Sequence, residues 1–307
     1  MDFGSVPISE IGKVDFTLPK DSAFTKQILK QSKPTKQPLI YIGCAKWGRK
    51  DWIGKIYPEK TKDADFLQEY VKHFNSIELN ATHYKMPEAA GIRKWAAKAK
   101  GLDFKFCPKV SKNISHFGNL APSPNLERQT KDFIIAVSAF EEHLGPVFLQ
   151  LSDKFSPAGK DNLFSYLRSL PKDLNLFLEV RHPDWYGNKK IRTELLNVMR
   201  ENNVGAIITD TTGRRDLVHM ELTIPKTFIR FVGNNLHPSD YTRLDEWVKR
   251  IKSWIGKGLQ EVYFFMHHTE ERNSPELCDY FIEQMNNYCG TNVKRPKFIK
   301  KENAQLS

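Results

Sequence analysis

Glu179 and Arg181 stand two residues apart in the otherwise apolar run Phe177-Leu178-Glu179-Val180-Arg181-His182-Pro183. In an extended strand, residues two apart share a face, so the carboxylate and the guanidinium lie together on the face of Phe177 while Leu178, Val180 and His182 point the other way. Charges inside an apolar strand are costly unless they are paired or used. The pattern recurs where Ser76, Glu78 and Asn80 alternate with Ile77 and Leu79, and where Arg230 stands between Ile229 and Phe231. Glu78 and Glu179 are therefore candidate acid/base groups, Arg181 and Arg230 candidate binders of an anion or a transition-state charge, and Lys109 a further electrophile. Trp47, Asn80, Tyr84, His182, Asp210 and His267, at or just beyond the ends of other apolar runs, are candidate substrate-binding residues. The same charges also fit a structural ion-pair network that plugs a barrel, because buried charge pairs can serve either end.

Other chemistries leave weaker marks. Glu78, Glu179, Asp210, His116, His182, His267 and His268 keep a metal open on composition, but no H-E-x-x-H or comparably spaced set occurs, and adjacent His267 and His268 would face opposite sides of a strand. Gly43-Cys44-Ala45-Lys46-Trp47-Gly48-Arg49-Lys50 follows a strand-like run, yet lacks the Lys-Ser/Thr ending of a phosphate loop. No G-x-G-x-x-G or G-x-S-x-G run is present, so no nucleotide-cofactor motif is identified and the cofactor stays unassigned.

The elements that must position these groups are short apolar runs at residues 39–44, 76–80, 104–109, 146–151, 175–181, 205–210, 227–232 and 261–267. Between them, helical spacing or composition marks 65–74, 87–100, 127–143, 161–170, 190–202 and 244–255, with 275–288 following the last run. Such alternation predicts parallel strands with crossover helices, and eight strand candidates match a closed (β/α)8 barrel better than an open sheet. The connection at 211–226, with Gly213, Arg214, Arg215 and Pro225, has room only for a short or irregular crossover. The expected organisation is a single TIM-like barrel domain over 39–290, preceded by an N-terminal extension, 1–38, and followed by a short basic tail, 291–307.

A formal charge of +11 favours an anionic partner, whether a small molecule or a nucleic acid. Six Lys against four acids in 1–38, and five Lys or Arg against Glu302 in 291–307, place much of that excess in the terminal segments, where charge runs are usually solvated. Cys44, Cys107, Cys278 and Cys289 show neither C-x-x-C nor metal-ligand spacing, which predicts reduced thiols and a cytoplasmic setting. No apolar run approaches the roughly 18 residues of a membrane span, and Asp2, Glu10 and Asp15 do not fit a signal peptide.

In order along the chain, Ile42-Gly43-Cys44-Ala45-Lys46-Trp47, Asp51-Trp52, Tyr57-Pro58, His73-Phe74-Asn75-Ser76-Ile77-Glu78-Leu79-Asn80, Leu144-Gly145-Pro146-Val147 and Glu179-Val180-Arg181-His182-Pro183 resemble the YecE-like family, domain of unknown function 72. The resemblance spans about residues 39–288 and implies a TIM-like barrel, without implying a particular reaction. The expected function is an enzyme handling a small anionic or polyhydroxylated substrate at the C-terminal mouth of the barrel. Three alternatives stand beside it: a nucleic-acid-binding barrel using Lys46, Arg49, Lys109, Arg214 and Arg215, a metal-dependent phosphoesterase or nuclease, and a noncatalytic small-ligand sensor.

Overall fold

The computed structural model describes residues 4–35, 37–268 and 270–299. Eight strands run parallel in the order β3-β2-β1-β8-β7-β6-β5-β4. They are β1 (Leu39–Cys44), β2 (Ser76–Leu79), β3 (Lys105–Pro108), β4 (Val147–Gln150), β5 (Leu176–Glu179), β6 (Gly205–Asp210), β7 (Lys226–Gly233) and β8 (Glu261–His268). The two ends of this sheet meet: Phe106 pairs with Leu144 and Lys109 with Phe148, through bonds from Gly145 N–H to the Phe106 carbonyl (2.7 Å) and from Val110 N–H to the Phe148 carbonyl (2.9 Å). The result is the TIM-like (β/α)8 barrel that the run spacing predicts.

Each strand is buried on both faces, which is why it reads as a near-continuous apolar run. One face packs outward against the helices, where Ile42, Ile77, Leu149, Leu178, Ile208, Ile229 and Phe264 join the large outer core. The other face fills the barrel with Tyr41, Cys107, Phe148, Phe177, Ile207, Phe228, Tyr263 and Phe265. Gly205 makes this filling possible, since a Cβ there would come within 2.2 Å of the Phe177 ring.

The helices that cover the barrel after β1 to β5 are α2 (Phe66–Tyr70), α3 (Ala89–Ala96), α4 (Pro124–Val137), α5 (Lys160–Ser169) and α6 (Lys189–Glu201), and after β7 and β8 come α7 (Pro238–Ile255) and α8 (Ser274–Cys289). Helix α2 is shorter than the periodicity over 65–74 predicts, because residues 72 and 73 close on Glu69 and Tyr70 with three-residue bonds that tighten the chain into the turn before β2.

Between β6 and β7 the chain forms only the short turn Arg215–Leu217, and the N-terminal extension supplies the missing wall. Its helix α1 (Ala23–Gln31) begins at Ser22, whose side chain accepts from Thr25 N–H. The buried Thr25 hydroxyl donates to the Met220 carbonyl (2.9 Å) and accepts from Leu222 N–H (2.8 Å) in the β6–β7 connection. On one side Phe24 lies under Arg200 of α6, and on the other Asp21 accepts from Arg250 (2.8 Å) and Trp254 (3.0 Å) of α7. The segment then crosses Gly258, where any Cβ would stand 2.4 Å from the Leu29 carbonyl oxygen. Of the basic tail, residues 291–299 are described, and Arg295 there folds back onto Asp279 (2.7 Å) of α8. No helix among the described residues is long and apolar enough to cross a membrane.

This arrangement makes Thr25 a structural clamp. Thr25→Val keeps the shape but leaves the Met220 carbonyl and the Leu222 N–H buried without a partner, at a cost of about 1–3 kcal/mol per stranded group. A lowered urea midpoint with an unchanged slope is the expected result, and a wild-type midpoint would show that the extension does not support the barrel.

Candidate functional site

Above the aromatic filling of the barrel, the next inward position of nearly every strand is polar. Glu78 on β2, Gln150 on β4, Glu179 on β5, Thr209 on β6, Arg230 on β7 and His267 on β8 are all buried, as is Lys109 just after β3. Arg230 is the hub. Its Nε and one terminal nitrogen grip Glu78 Oε2 and Oε1 at 2.9 and 3.0 Å, and the other terminal nitrogen reaches Glu179 Oε2 at 2.9 Å. The guanidinium carbon lies 6.0 Å from the centre of the Phe148 ring beneath it.

Both carboxylates have every acceptor site filled. Glu78 also accepts from Asn80 Nδ2 (2.8 Å) and has His267 Nε2 at 2.9 Å from its Oε2. Glu179 also accepts from Arg181 Nε (2.7 Å), Thr209 Oγ1 (3.0 Å) and Gln150 Nε2 (2.6 Å). Burial works against the charged form of each acid. At Glu78 the charges of Arg230 and His267 overcome it and hold the group well below the usual carboxylate range, and at Glu179 Arg181 and Arg230 do the same. The two glutamates are therefore fixed anions at neutral pH.

Lys109 differs from the other cations in this layer. Its backbone is pinned by Lys109 N–H to the Leu79 carbonyl (3.1 Å) and by Thr82 Oγ1 to the Lys109 carbonyl (2.7 Å). Its Nζ donates to the neutral Gln150 Oε1 at 2.6 Å, and among the described residues no carboxylate lies in ion-pair reach. Burial first, then the neighbouring Arg230 charge, push the amine down to about 8. Near it, His83 and His116 pack edge to face with ring centres 4.9 Å apart, and the His83 Nδ1 lies 2.8 Å from the Val110 carbonyl oxygen. Burial holds His83 at about 4, and burial together with the Lys109 charge lowers His116.

Of the residues singled out from sequence, Glu78, Glu179, Arg181, Arg230, Asn80, His267 and Lys109 thus come together. Asp210 does not. Strand alternation turns it outward, where Arg243 Nη2 and Trp247 Nε1 of α7 hold it at 2.7 Å each and Arg215 pairs with it. Its inward neighbour Thr209 takes the place in the layer instead. The sequence marks Asp210 by its charge, and the apolar pair Ile207-Ile208 carries no sign of which face looks inward. Tyr84 is 71% exposed at the rim and packs its edge on His83. Trp47 packs against Trp95 with ring centres 5.4 Å apart, and His182, past the strand end, accepts from Asp184 N–H (3.3 Å). No three His, Cys, Asp or Glu side chains among the described residues are grouped to hold a metal ion.

A parallel (β/α)8 barrel with a closed network of buried charges at its C-terminal mouth is the class of protein that this geometry defines. The chain belongs to the DUF72 family, described as "Protein of unknown function DUF72", whose family model matches residues 41–300. It is 27% identical over 265 residues to the UPF0759 protein YecE of Escherichia coli K12, covering 80% of this chain and 93% of that relative. To the UPF0759 protein YunF of Bacillus subtilis it is 27% identical over 206 residues, covering 64% and 71%. The crystal structure of a DUF72 family protein from Thermotoga maritima shares the fold with a TM-score of 0.61 at 20% identity, over 81% of this chain and 99% of that one.

Removing the hub tests the network. Arg230→Met takes the guanidinium from the buried Glu78 and one of two guanidinium partners from Glu179, and the expected loss is about 3–5 kcal/mol near neutral pH. In the wild type both acids are depressed, so their contribution is present above the ordinary glutamate range and is lost as pH falls through the folded values. In Arg230→Met Glu78 loses the largest charge opposing its burial and is raised, while Glu179 keeps Arg181, so the gap between variant and wild type narrows as pH falls towards about 5. Denaturant midpoints at two pH values measure both effects, and a variant that matches the wild type at neutral pH contradicts the network's role.

Proposed function

We propose that this chain is an enzyme acting by acid/base chemistry on a small anionic or polyhydroxylated substrate at the C-terminal mouth of its barrel. The observation that carries this reading is Lys109, a buried cation bonded only to a neutral amide among the described residues. A desolvated ammonium without a counter-ion is stabilised either by an incoming anion or by losing its proton, and a site that can do both can bind and react. In this reading Glu78 and Glu179, both held ionised, orient Arg230, Gln150 and His267, while the proton moves through Lys109. Arg181 and Asn80, both partly exposed, line the approach.

Four of the five cations offered for a nucleic-acid surface favour the small-molecule reading, and Lys46 alone of them is exposed with no carboxylate partner among the described residues. Arg49 pairs with Asp51, Arg214 with Asp216 (2.7 Å) and Arg215 with Asp210, and Lys109 is buried. Phosphate contacts need such side chains unpaired and exposed.

Thermal unfolding with a panel of inorganic phosphate, sulfate, small carboxylates, sugar phosphates and matched neutral polyols tests the reading. At about 100 times its dissociation constant a true ligand stabilises the fold by about 2.7 kcal/mol, and Lys109→Met should lose that response to anions. Turnover of the stabilising compound should rise as pH passes through about 8, where Lys109 loses its proton. Stabilisation without turnover would mark a ligand sensor, and no response to any member of the panel would overturn the site.

A further inference from the structure

We infer that the ε-amine of Lys109 is a nucleophile that condenses with the carbonyl carbon of a small anionic aldehyde or ketone to form an iminium. This rests on the placement of the substrate at the barrel mouth proposed above. It adds the chemical class of the substrate and a covalent step.

The geometry separates Lys109 from the other buried cations. Arg230 is held by Glu78 and Glu179, Arg243 by Asp210, and Arg181 by Glu179, so each of these guanidinium groups has a carboxylate partner. Lys109 has only Gln150 Oε1, at 2.6 Å, and two further substituent positions on Nζ have no hydrogen-bond partner among the described residues. Bonds from Lys109 N–H to Leu79 of β2 and to the Lys109 carbonyl from Thr82, in the turn after β2, fix its backbone, while the Gln150 bond fixes the direction of the amine. Gln150 is itself anchored on Glu179 at 2.6 Å, so the acceptor beside the amine cannot turn away without breaking that bond.

This environment suits both halves of an amine condensation. A lysine desolvated and set next to another cation is activated as a nucleophile because its neutral form is favoured. The carboxylates of Glu179 and Glu78 nevertheless favour positive charge at Nζ, as their opposing effect on the amine shows. An iminium carries that charge permanently. The Nζ lone pair forms the new C–N bond as the carbonyl π pair moves to oxygen. A proton passes from nitrogen to that oxygen to give the neutral carbinolamine. The oxygen then takes from solvent the proton that the ammonium gave up to free its lone pair and leaves as water, while the nitrogen lone pair forms the C=N bond. One carbonyl and one ammonium group yield one iminium and one water, with no change in oxidation state. A substrate bearing a negative group would also place a counter-charge in a layer where Lys109 lacks one.

Sub-stoichiometric glyoxylate with sodium cyanoborohydride near neutral pH tests the inference on the intact chain. Reduction of the iminium leaves one carboxymethyl group, located by peptide mass mapping. Lys109 should be labelled about tenfold or more faster than the exposed Lys46 and Lys100, because its burial beside Arg230 favours the neutral, nucleophilic form of its amine. Lys109→Arg should lose this fast label while the slow labelling of the other lysines continues. Labelling of Lys109 no faster than Lys46 and Lys100 in the wild type overturns the inference, and that comparison needs no variant to fold. If anions stabilise the fold through Lys109 while glyoxylate spares it, the covalent step fails and the anion site stands. If Lys109 is labelled and no anion stabilises the fold, the anion reading fails instead.

Discussion

The Arg230 guanidinium lies between two carboxylates inside a closed barrel, and the polar layer at the mouth depends on that contact. Six strands meet there, since Arg230 comes from β7 and Glu78 from β2, Glu179 from β5, His267 from β8, Gln150 from β4 and Thr209 from β6 are each bonded to Arg230 or to one of its two acids. Burying three charges is unfavourable unless geometry compensates for lost hydration. Here compensation is complete for the acids, each of which accepts four bonds. The rings of Phe148, Phe177, Phe228 and Phe265 beneath exclude water, which strengthens every bond in the layer and raises the cost of breaking any one of them.

The wall that carries this layer is completed by the N-terminal segment. Strand β6 offers Thr209 to Glu179 on its inner face and Asp210 to Arg243 and Trp247 on its outer face. Arg243 and Arg215, which hold Asp210, both lie over the ring of Phe16 in the extension. Near the mouth the Gly4 carbonyl accepts from Gly213 N–H at 2.6 Å. The extension therefore buttresses β6 from behind, and a shift in β6 would be felt at Glu179 through Thr209. The shortened β6–β7 connection and the segment before residue 39 are two parts of one structural solution.

This division also sets what the sequence makes legible. Strands buried on both faces leave apolar runs, and β1 and β6 fall on the predicted runs at 39–44 and 205–210. The alternation of Glu78 with Ile77 and Leu79, and of Glu179 with Leu178 and Val180, locates the inward acids because polar and apolar residues differ sharply there. At 207–210 both faces are apolar until the last two residues, so charge draws attention to Asp210 while Thr209 enters the layer. The role of α1 is hidden for another reason: its buried residues Thr25, Ile28 and Leu29 cover a gap opened nearly two hundred residues later. Only the chain's return in space brings them together.

Within the layer, a fixed charge and a changeable one do different work. Glu78, Glu179 and Arg230 stabilise one another in their ionised forms, so moving a proton onto or off any of them would dismantle the network that holds the strand ends. Their value lies in constancy, since fully paired buried charges hold the strand ends in one arrangement. Lys109 sits at the end of the same chain of bonds, reached through the neutral amide of Gln150, which passes on orientation without supplying a counter-charge. Its proton can leave without breaking an ion pair. The barrel thus uses its most costly interactions to hold the mouth still, and Lys109 is the one buried cation, among the described members of the layer, that no carboxylate holds.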